Sequence, residues 1–550
     1  MSEEITRVAI VGEGTVGTAL AAMAAEAGIE VVTGAHNQFP DLSGCQLVIE
    51  AAPEIRDVKE SVISALVQAA PADAVIVTTT STLGLTDLAL ATGATSRLVG
   101  WAPPLSDGSA LVEIGETVLV ADSAVAAVAA FAEATGRTVI NVADRSGFIN
   151  ARLLLGYLNH AIGMVQNGYA SKEDVDAAMR FGCGYPVGPI AMADMVGLDV
   201  LRDSLTALYV ITGERVHAPA PILKQYVAAG RLGRKSGSGF YTYAAPGSAE
   251  VVADVSDSGG TSPAAPRSVQ SVGVIGSGTM ATGIIEVFAK SGFDVTFVAR
   301  GDEKVARVTG ALTKSLDKQV DKGRLTGDDR DAVLARVSGV TSVDGLDQVD
   351  LVVEAVVEDL AVKLDLFRNL DRVCKPGAIL ATTTSSLPVI EMAAVTSRPG
   401  DVVGLHFFNP ATIMKLVEIV RTTETAADVV ATSWDICART KKVGVECGDR
   451  GGFIVNALLF PYLNDAVRLM DAHYASKAQI DTAIKAGTGF PMGPFALLDV
   501  VGNDVSLAIQ EVLLAEFNDP GFEPAQSLRD VVAAGFLGRK TGRGFYDYAQ

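Results

Sequence analysis

At 550 residues the chain is longer than one ordinary hydrophobic core supports, so several domains are expected. A hydrophobic share of 49%, with 6% aromatics and 55 glycines, fits an alanine- and glycine-rich soluble α/β protein. The net charge of −20 argues against nucleic acid or an anionic membrane surface as the partner, but it leaves room for a phosphorylated ligand, which needs only a few local cations and a helix N-terminus. Cys45, Cys183, Cys374, Cys437 and Cys447 show no paired spacing, so neither a disulfide framework nor a metal site is expected. The chain opens on no basic-then-apolar leader and has no uncharged run of membrane-spanning length, and a cytoplasmic protein is the expectation.

In chain order, Val8–Val11 reads as a short β-branched strand, followed by the turn Gly12, Gly14, Gly17 and an alanine-rich helix. A second strand, IEVVTG, ends without an acid, and the segment after it is short. VIEAAPE (Val48–Glu54), TTTSTL (Thr78–Leu83), GWAPPLS (Gly100–Ser106) and ALVEI (Ala110–Ile114) follow. From about Gly147 the spacing is helical, with YPVGPIAMADMVGLD (Tyr185–Asp199) and GRLGRKSGSGFYTY (Gly230–Tyr243). A Ser-, Ala-, Pro- and Gly-rich stretch at 244–269 reads as a linker.

The order then repeats. VGVIGSGTMA (Val272–Ala281) answers VAIVGEGTVG, VVEAVVE (Val352–Glu358) answers VIEAAPE, and TTTSSL (Thr382–Leu387) answers TTTSTL. FPMGPFALLDVVGND (Phe490–Asp504) and GFLGRKTGRGFYDY (Gly535–Tyr548) complete the match, so the chain is a duplication. The register between copies steps by about forty residues between Arg300 and Leu351. That insert is charged and helical in period, and it reads as a helix pair projecting into solvent. The fold class expected is α/β, in two tandem copies of a doubly wound parallel sheet domain followed by an all-helical domain. The boundaries expected are 1–145, 146–243, a linker at 244–269, 270–450 and 451–550.

Gly276, Gly278 and Ala281 form GxGxxA between a strand and a helix, with Thr279 and Met280 opening the helix. This is the pattern of a dinucleotide-binding turn: Gly276 for the tight turn, Gly278 for backbone approach to a pyrophosphate, and Ala281 for close helix–sheet packing. In the first copy the same turn reads as inherited structure. Of the five histidines, His406 differs by its surroundings. It follows the strand run VVGL, and twelve residues on, after an Asn-Pro turn, Glu418 stands inside the apolar run KLVEIV. An acid there needs a partner. A His–Glu pair makes a base near neutral pH, which beside a nicotinamide suits oxidation of a secondary alcohol.

Through GSGTMA, VVEAVVED, TTTSSL, GLHFFNP with MKLVEIV, GGFIVNALL, GFPMGPFALLD and LGRKTGRGFYDY, the second copy resembles the L-3-hydroxyacyl-CoA dehydrogenase family over Ser268–Gln550. The resemblance implies a Rossmann-like domain for NAD or NADP, a helical domain that closes the cleft and dimerises, and interconversion of (S)-3-hydroxyacyl-CoA with 3-ketoacyl-CoA. It implies His406 as general base, Glu418 as its orienting acid, and Ser385 and Asn456 as polar groups holding the substrate oxygens. It further implies Glu358, Lys363 and Lys540 as cofactor contacts, and Ser315 and Lys322 as coenzyme A contacts.

The first copy departs from this pattern. It keeps Glu113 and Ser81 but has Ala102 where the histidine belongs, Ala151 opposite Asn456, and no helix pair. It is expected to be a catalytically silent partner in an intrachain pseudo-dimer, with further oligomerisation left open. The second copy departs at one place, carrying Ala299 and Arg300 where the family has a ribose-binding aspartate. That exchange favours NADP unless Arg300 points to solvent or pairs with Asp302 or Glu303. Two rival readings stand beside this one: another β-hydroxyacid dehydrogenase of the same fold, and a non-catalytic scaffold of two such halves.

Overall fold

The computed structural model describes residues 5–102, 109–252 and 264–548, so the 103–106 part of the first-copy GWAPPLS run lies outside the described residues. In the first half, β1 (Arg7–Val11), β2 (Glu30–Gly34), β3 (Leu47–Glu50), β4 (Val75–Thr79), β5 (Leu98–Ala102), β6 (Leu111–Glu116) and β7 (Thr138–Ala143) form one sheet, in the order β2-β1-β3-β4-β5-β6-β7. A hairpin, β8 (Thr242–Tyr243) with β9 (Val251–Val252), closes this half. The second half carries β10 (Ser271–Ile275), β11 (Asp294–Val298), β12 (Val337–Val340), β13 (Leu351–Glu354), β14 (Ile379–Thr382), β15 (Val402–Phe407), β16 (Leu416–Arg421) and β17 (Val443–Gly448). Their order is β12-β11-β10-β13-β14-β15-β16-β17. Central strands such as β13 and β14 are buried along their whole length, which is why they read as continuous apolar runs.

Both sheets are Rossmann-like, but they are mixed rather than wholly parallel. β6 runs antiparallel to β5 and β16 antiparallel to β15, and β7 and β17 then run parallel to those returning strands. The cause is connection length. A parallel neighbour needs a crossover of a dozen residues or more, and the short link from Phe407 to Leu416 allows only a direct return.

The insert forms the expected helix pair, Asp302–Asp321 and Gly327–Ala335, and also an unforeseen edge strand, β12. The pair does not stand free in solvent. Val308, Leu312 and Leu316 line one face of its first helix at the i, i+4, i+8 spacing, and all three are buried. That face lies on the helix Thr279–Lys290. The expected linker is likewise more structured than read. Its first residues fold back as β9, while Arg267 near its end pairs with Asp401 and Asp428 and Val269 is buried. Residues 253–263 of it lie outside the described residues.

The helical parts of the two halves pack on each other. The helices Asn150–Gln166 and Val455–Asp471 lie side by side, with the Tyr157 and Tyr462 rings 5.6 Å apart and Tyr185 stacked on Phe490 at 3.5 Å. One apolar core runs through both helical regions. Beyond this seam each half reaches the other's sheet. The helix Lys172–Cys183 of the first half packs on β16 and β17, and the helix Lys477–Thr488 of the second packs on β6 and β7. The arrangement repeats in detail, since Arg450 lies over the Tyr169 ring and Arg145 over the Tyr474 ring. Among the described residues, no helix is long and apolar enough to cross a membrane, and no group of three or more His, Cys, Asp and Glu side chains could hold a metal ion.

Candidate active site

The antiparallel return of β16 sets the centre of the site. It pairs His406 on β15 directly with Glu418 on β16, so His406 lies within its strand rather than past it. His406 Nδ1 is 2.6 Å from Glu418 Oε2. The other carboxylate oxygen accepts the backbone N–H groups of Ile454 at 3.0 Å and Val455 at 2.9 Å. These open the helix Val455–Asp471, which has no side-chain cap of its own, so Glu418 caps it from a neighbouring strand. The chain enters that helix through two left-handed residues, Gly452 (φ 77°) and Phe453 (φ 48°). Glu418 has no solvent exposure and accepts on both oxygens, so Nδ1 carries the imidazole proton. Nε2 is left as the nitrogen able to receive one. The ring sits between Phe408 and Phe453, at centroid distances of 4.5 and 5.6 Å.

Asn456 follows Val455 and donates from Nδ2 to the Ser385 carbonyl at 3.4 Å, so the two expected oxygen-holding residues meet. The Ser385 loop is braced from beneath by Glu358, which accepts from Thr384 Oγ1 at 2.6 Å and Ser385 N at 2.9 Å. Burial works to raise the Glu358 carboxyl, but the Lys363 charge and these bonds outweigh it and hold it below its ordinary value. Lys363 itself is buried, donating to Glu354 at 2.7 and 2.8 Å and lying 3.4 Å from Glu358. With its ammonium enclosed in this way it offers no open donor to a cofactor and acts through Glu358. Glu354 also accepts from Thr382 Oγ1 at 2.8 Å. Sequence reasoning passed over this acid, although a glutamate ending an apolar strand nine residues before a lysine was the signal.

The glycine turn fits a dinucleotide. Gly276 has φ 141°, and a Cβ there would lie 2.5 Å from the Ala355 carbonyl oxygen. In front of Gly278 a Cβ would meet nothing within 4 Å, and the helix Thr279–Lys290 begins there without a side-chain cap. Free N–H groups facing open space beside an absent side chain are what a pyrophosphate requires. Thr279 and Met280 open that helix, and Ala281 is buried against the sheet. Past the end of β11, Ala299 is buried, while Arg300 is exposed and makes no ion pair with Asp302 or Glu303.

Two expected contacts are placed otherwise. Ser315 turns inward and donates to the buried Glu286 carboxylate at 2.7 Å, with Gln319 on the other oxygen at 2.8 Å, so of the pair only Lys322 faces solvent. Lys540 is tied to Asp504 at 2.5 and 2.7 Å, and Lys235 makes the same pair with Asp199 in the first half. A pairing kept in both copies is a brace of the helical domain, and among the described residues no hydrogen bond or ion pair joins Lys540 to the glycine turn.

In the first half the geometry survives without the histidine. Ala102 pairs with Glu113 across β5 and β6, and Glu113 accepts from Ile149 N at 2.6 Å and Asn150 N at 3.0 Å. With no imidazole beside it, burial lifts this carboxyl to about 7 against the pull of those bonds. Its folded-state pKa exceeds the unfolded one, so its contribution to stability is full below about pH 4.5 and is lost as pH rises through about 7. Glu113→Gln removes this dependence. Its melting temperature relative to wild type is expected to rise from pH 5 to pH 8, and a constant difference contradicts the assignment.

The 3-hydroxyacyl-CoA dehydrogenase NAD binding domain model matches residues 33–145 and 271–450, and the model of the same family's C-terminal domain matches 147–243 and 452–548. The first match begins past the Gly12–Gly17 turn. The chain is 43% identical over 282 residues to a 3-hydroxybutyryl-CoA dehydrogenase of Mycobacterium tuberculosis, covering 51% of this chain and 99% of that one. It is 42% identical over 290 residues to the mitochondrial hydroxyacyl-coenzyme A dehydrogenase of Mus musculus, covering 51% of this chain and 91% of that one. The crystal structure of (S)-3-hydroxybutyryl-CoA dehydrogenase from Ralstonia eutropha superposes with a TM-score of 0.51 at 39% identity, covering 52% of this chain and all of that one. With both family domains present twice, the chain belongs to the 3-hydroxyacyl-CoA dehydrogenase family of NAD(P)-binding oxidoreductases.

Proposed function

We propose that this protein interconverts (S)-3-hydroxyacyl-CoA and 3-ketoacyl-CoA at one active site, in the half from about 270 to 550. The half before it is a silent internal partner. The observation that carries the reading is the contrast between His406 bonded to Glu418 and Ala102 opposite Glu113. In oxidation, His406 Nε2 takes the proton of the substrate C3 hydroxyl as the C3 hydrogen leaves with its electron pair. Glu418, anchored by Ile454 and Val455, steadies the imidazolium that results. Ser385 and Asn456 hold the substrate oxygens beside the ring. A bound nicotinamide supplies the hydride acceptor, and Gly276, Gly278 and the helix start at Thr279 are the groups that would hold its pyrophosphate. Lys322 is the cation available to coenzyme A phosphates. The partnership of the halves is supported by the Tyr157–Tyr462 and Tyr185–Phe490 contacts and by the exchange of helices onto opposite sheets.

Replacing His406 with Gln is expected to cost about 10²–10⁴-fold in turnover of acetoacetyl-CoA with reduced cofactor. Retention of more than about a tenth of the activity removes His406 from the mechanism. Ala102→His in the same assay is expected to gain nothing, because Asn456 has no counterpart in the first half.

For the cofactor we propose a preference for NADP. The acid that binds both ribose hydroxyls is absent, and Arg300, although exposed beside the end of β11, has no ion pair with Asp302 or Glu303 to hold it from a 2′-phosphate. A charge-assisted contact to a 2′-phosphate is worth about 1.5–3 kcal/mol, or roughly ten- to a hundredfold in affinity. The expected result is a higher kcat/KM with NADPH than NADH, collapsing in Arg300→Ala. Preference for NADH, or a ratio that Arg300→Ala leaves unmoved, rules out this discriminator.

A further inference from the structure

We infer that the first half, though it lacks the base, positions the second half's His406–Glu418 pair, and that Gly182 is the residue through which it does so. The inference rests on the reading of His406 and Glu418 as the reacting pair.

Gly182 lies in the last turn of the helix Lys172–Cys183, which crosses from the first half onto β16, β17 and the start of the helix Val455–Asp471. A Cβ at Gly182 would lie 2.9 Å from a Leu416 methyl and 3.0 Å from a Val455 methyl. Both neighbours adjoin Glu418. Leu416 stands two residues before it on β16, on the same face of the sheet, and Val455 donates its N–H to the carboxylate at 2.9 Å. Glycine is a poor helix former, so its presence there is explained by a close approach that any side chain would obstruct.

A second contact from the first half seats the neighbouring strand. Tyr169 donates its hydroxyl to the Gly448 carbonyl at 2.9 Å and accepts from Gly448 N at 3.2 Å, at the end of β17 beside Glu418's strand. The Cys183 thiol is near enough to respond to Glu418. Burial first, and then that carboxylate, push it up to about 12. The first half thus approaches the strands and the helix start behind the dyad through Tyr169, Gly182 and Cys183.

The molecule contains its own control. Gly487, in the helix Lys477–Thr488, makes the mirror-image approach, and a Cβ there would lie 2.7 Å from Asn150 Nδ2. Asn150 N donates to Glu113 as Val455 N donates to Glu418, but no histidine waits on the Glu113 carboxylate. Both glycines are closely approached from the opposite half, Gly182 by Leu416 and Val455 and Gly487 by Asn150, and only Gly182 lies behind a base.

The test compares Gly182→Val with Gly487→Val in the full-length chain, assayed with acetoacetyl-CoA and reduced cofactor. Gly182→Val is expected to lower kcat by about tenfold or more with KM nearly unchanged, since a displaced base weakens the transition state rather than binding. The ionisation seen in its kcat/KM profile is expected to shift as the Glu418 contact changes. Gly487→Val is expected to keep wild-type kcat and profile. Should valine at 182 prevent folding, Gly182→Ala and Tyr169→Phe carry the comparison, with smaller falls in kcat and the same shift in profile. Wild-type kcat and pH profile in folded Gly182 variants overturn the inference, as does an equal loss in Gly487→Val. If His406→Gln is inactive while Gly182→Val is normal, the positioning role alone fails. If His406→Gln stays active, the reading of the dyad fails and takes the inference with it.

Discussion

A carboxylate with no solvent exposure, in the middle of an apolar strand, is the constraint on which the rest of the site depends. Removing one charged group from water costs several kcal/mol unless its oxygens are satisfied. Glu418 is satisfied by one imidazole N–H and two backbone N–H groups, all within 3.0 Å. The imidazole and the backbone pair come from different parts of the fold. The imidazole needs the antiparallel return of β16, and the N–H groups need the left-handed turn at Gly452 and Phe453. The helix that begins at Val455 then delivers Asn456 to the Ser385 loop. One buried acid thereby ties the sheet, the helical domain and the base into a single geometry.

The first half shows which of these duties is older in physical terms. Glu113 keeps the two backbone bonds and loses only the histidine, and the local fold stands. The acid caps a helix first and orients a base second. That explains why a glutamate persists at a position with no histidine beside it. It also explains its cost, since burial pushes the carboxyl up to about 7. The same logic covers Lys59 with Glu50 and Lys363 with Glu354, buried ion pairs present in both halves. A feature shared by the two halves is first a requirement of the fold. The histidine and the helix pair of the insert, present once, are where the chemistry is to be sought.

Much of this was legible in the residues. Ordered motif pairs gave the duplication, the step in register gave the helix pair, and GLHFFNP with KLVEIV gave the dyad. What escaped was set by contacts between segments far apart in the chain. The inward turn of Ser315 depends on Glu286 on another helix, and the tie of Lys540 to Asp504 depends on how the last turn folds back. The enclosure of Lys363 was within reach, because Glu354 ends β13 only nine residues before it. The antiparallel return was within reach, because the loop from Phe407 to Leu416 is too short for a crossover. The approach of Gly182 to Val455 was not, because no local pattern marks a glycine that faces a residue in the other half.

On the reading proposed above, the chain carries two family folds and one working site. Equilibrium titration of the full-length protein with acetoacetyl-CoA, at saturating oxidised cofactor, counts substrate sites directly. The account predicts one acetoacetyl-CoA bound per chain. Two equivalent sites per chain would contradict it.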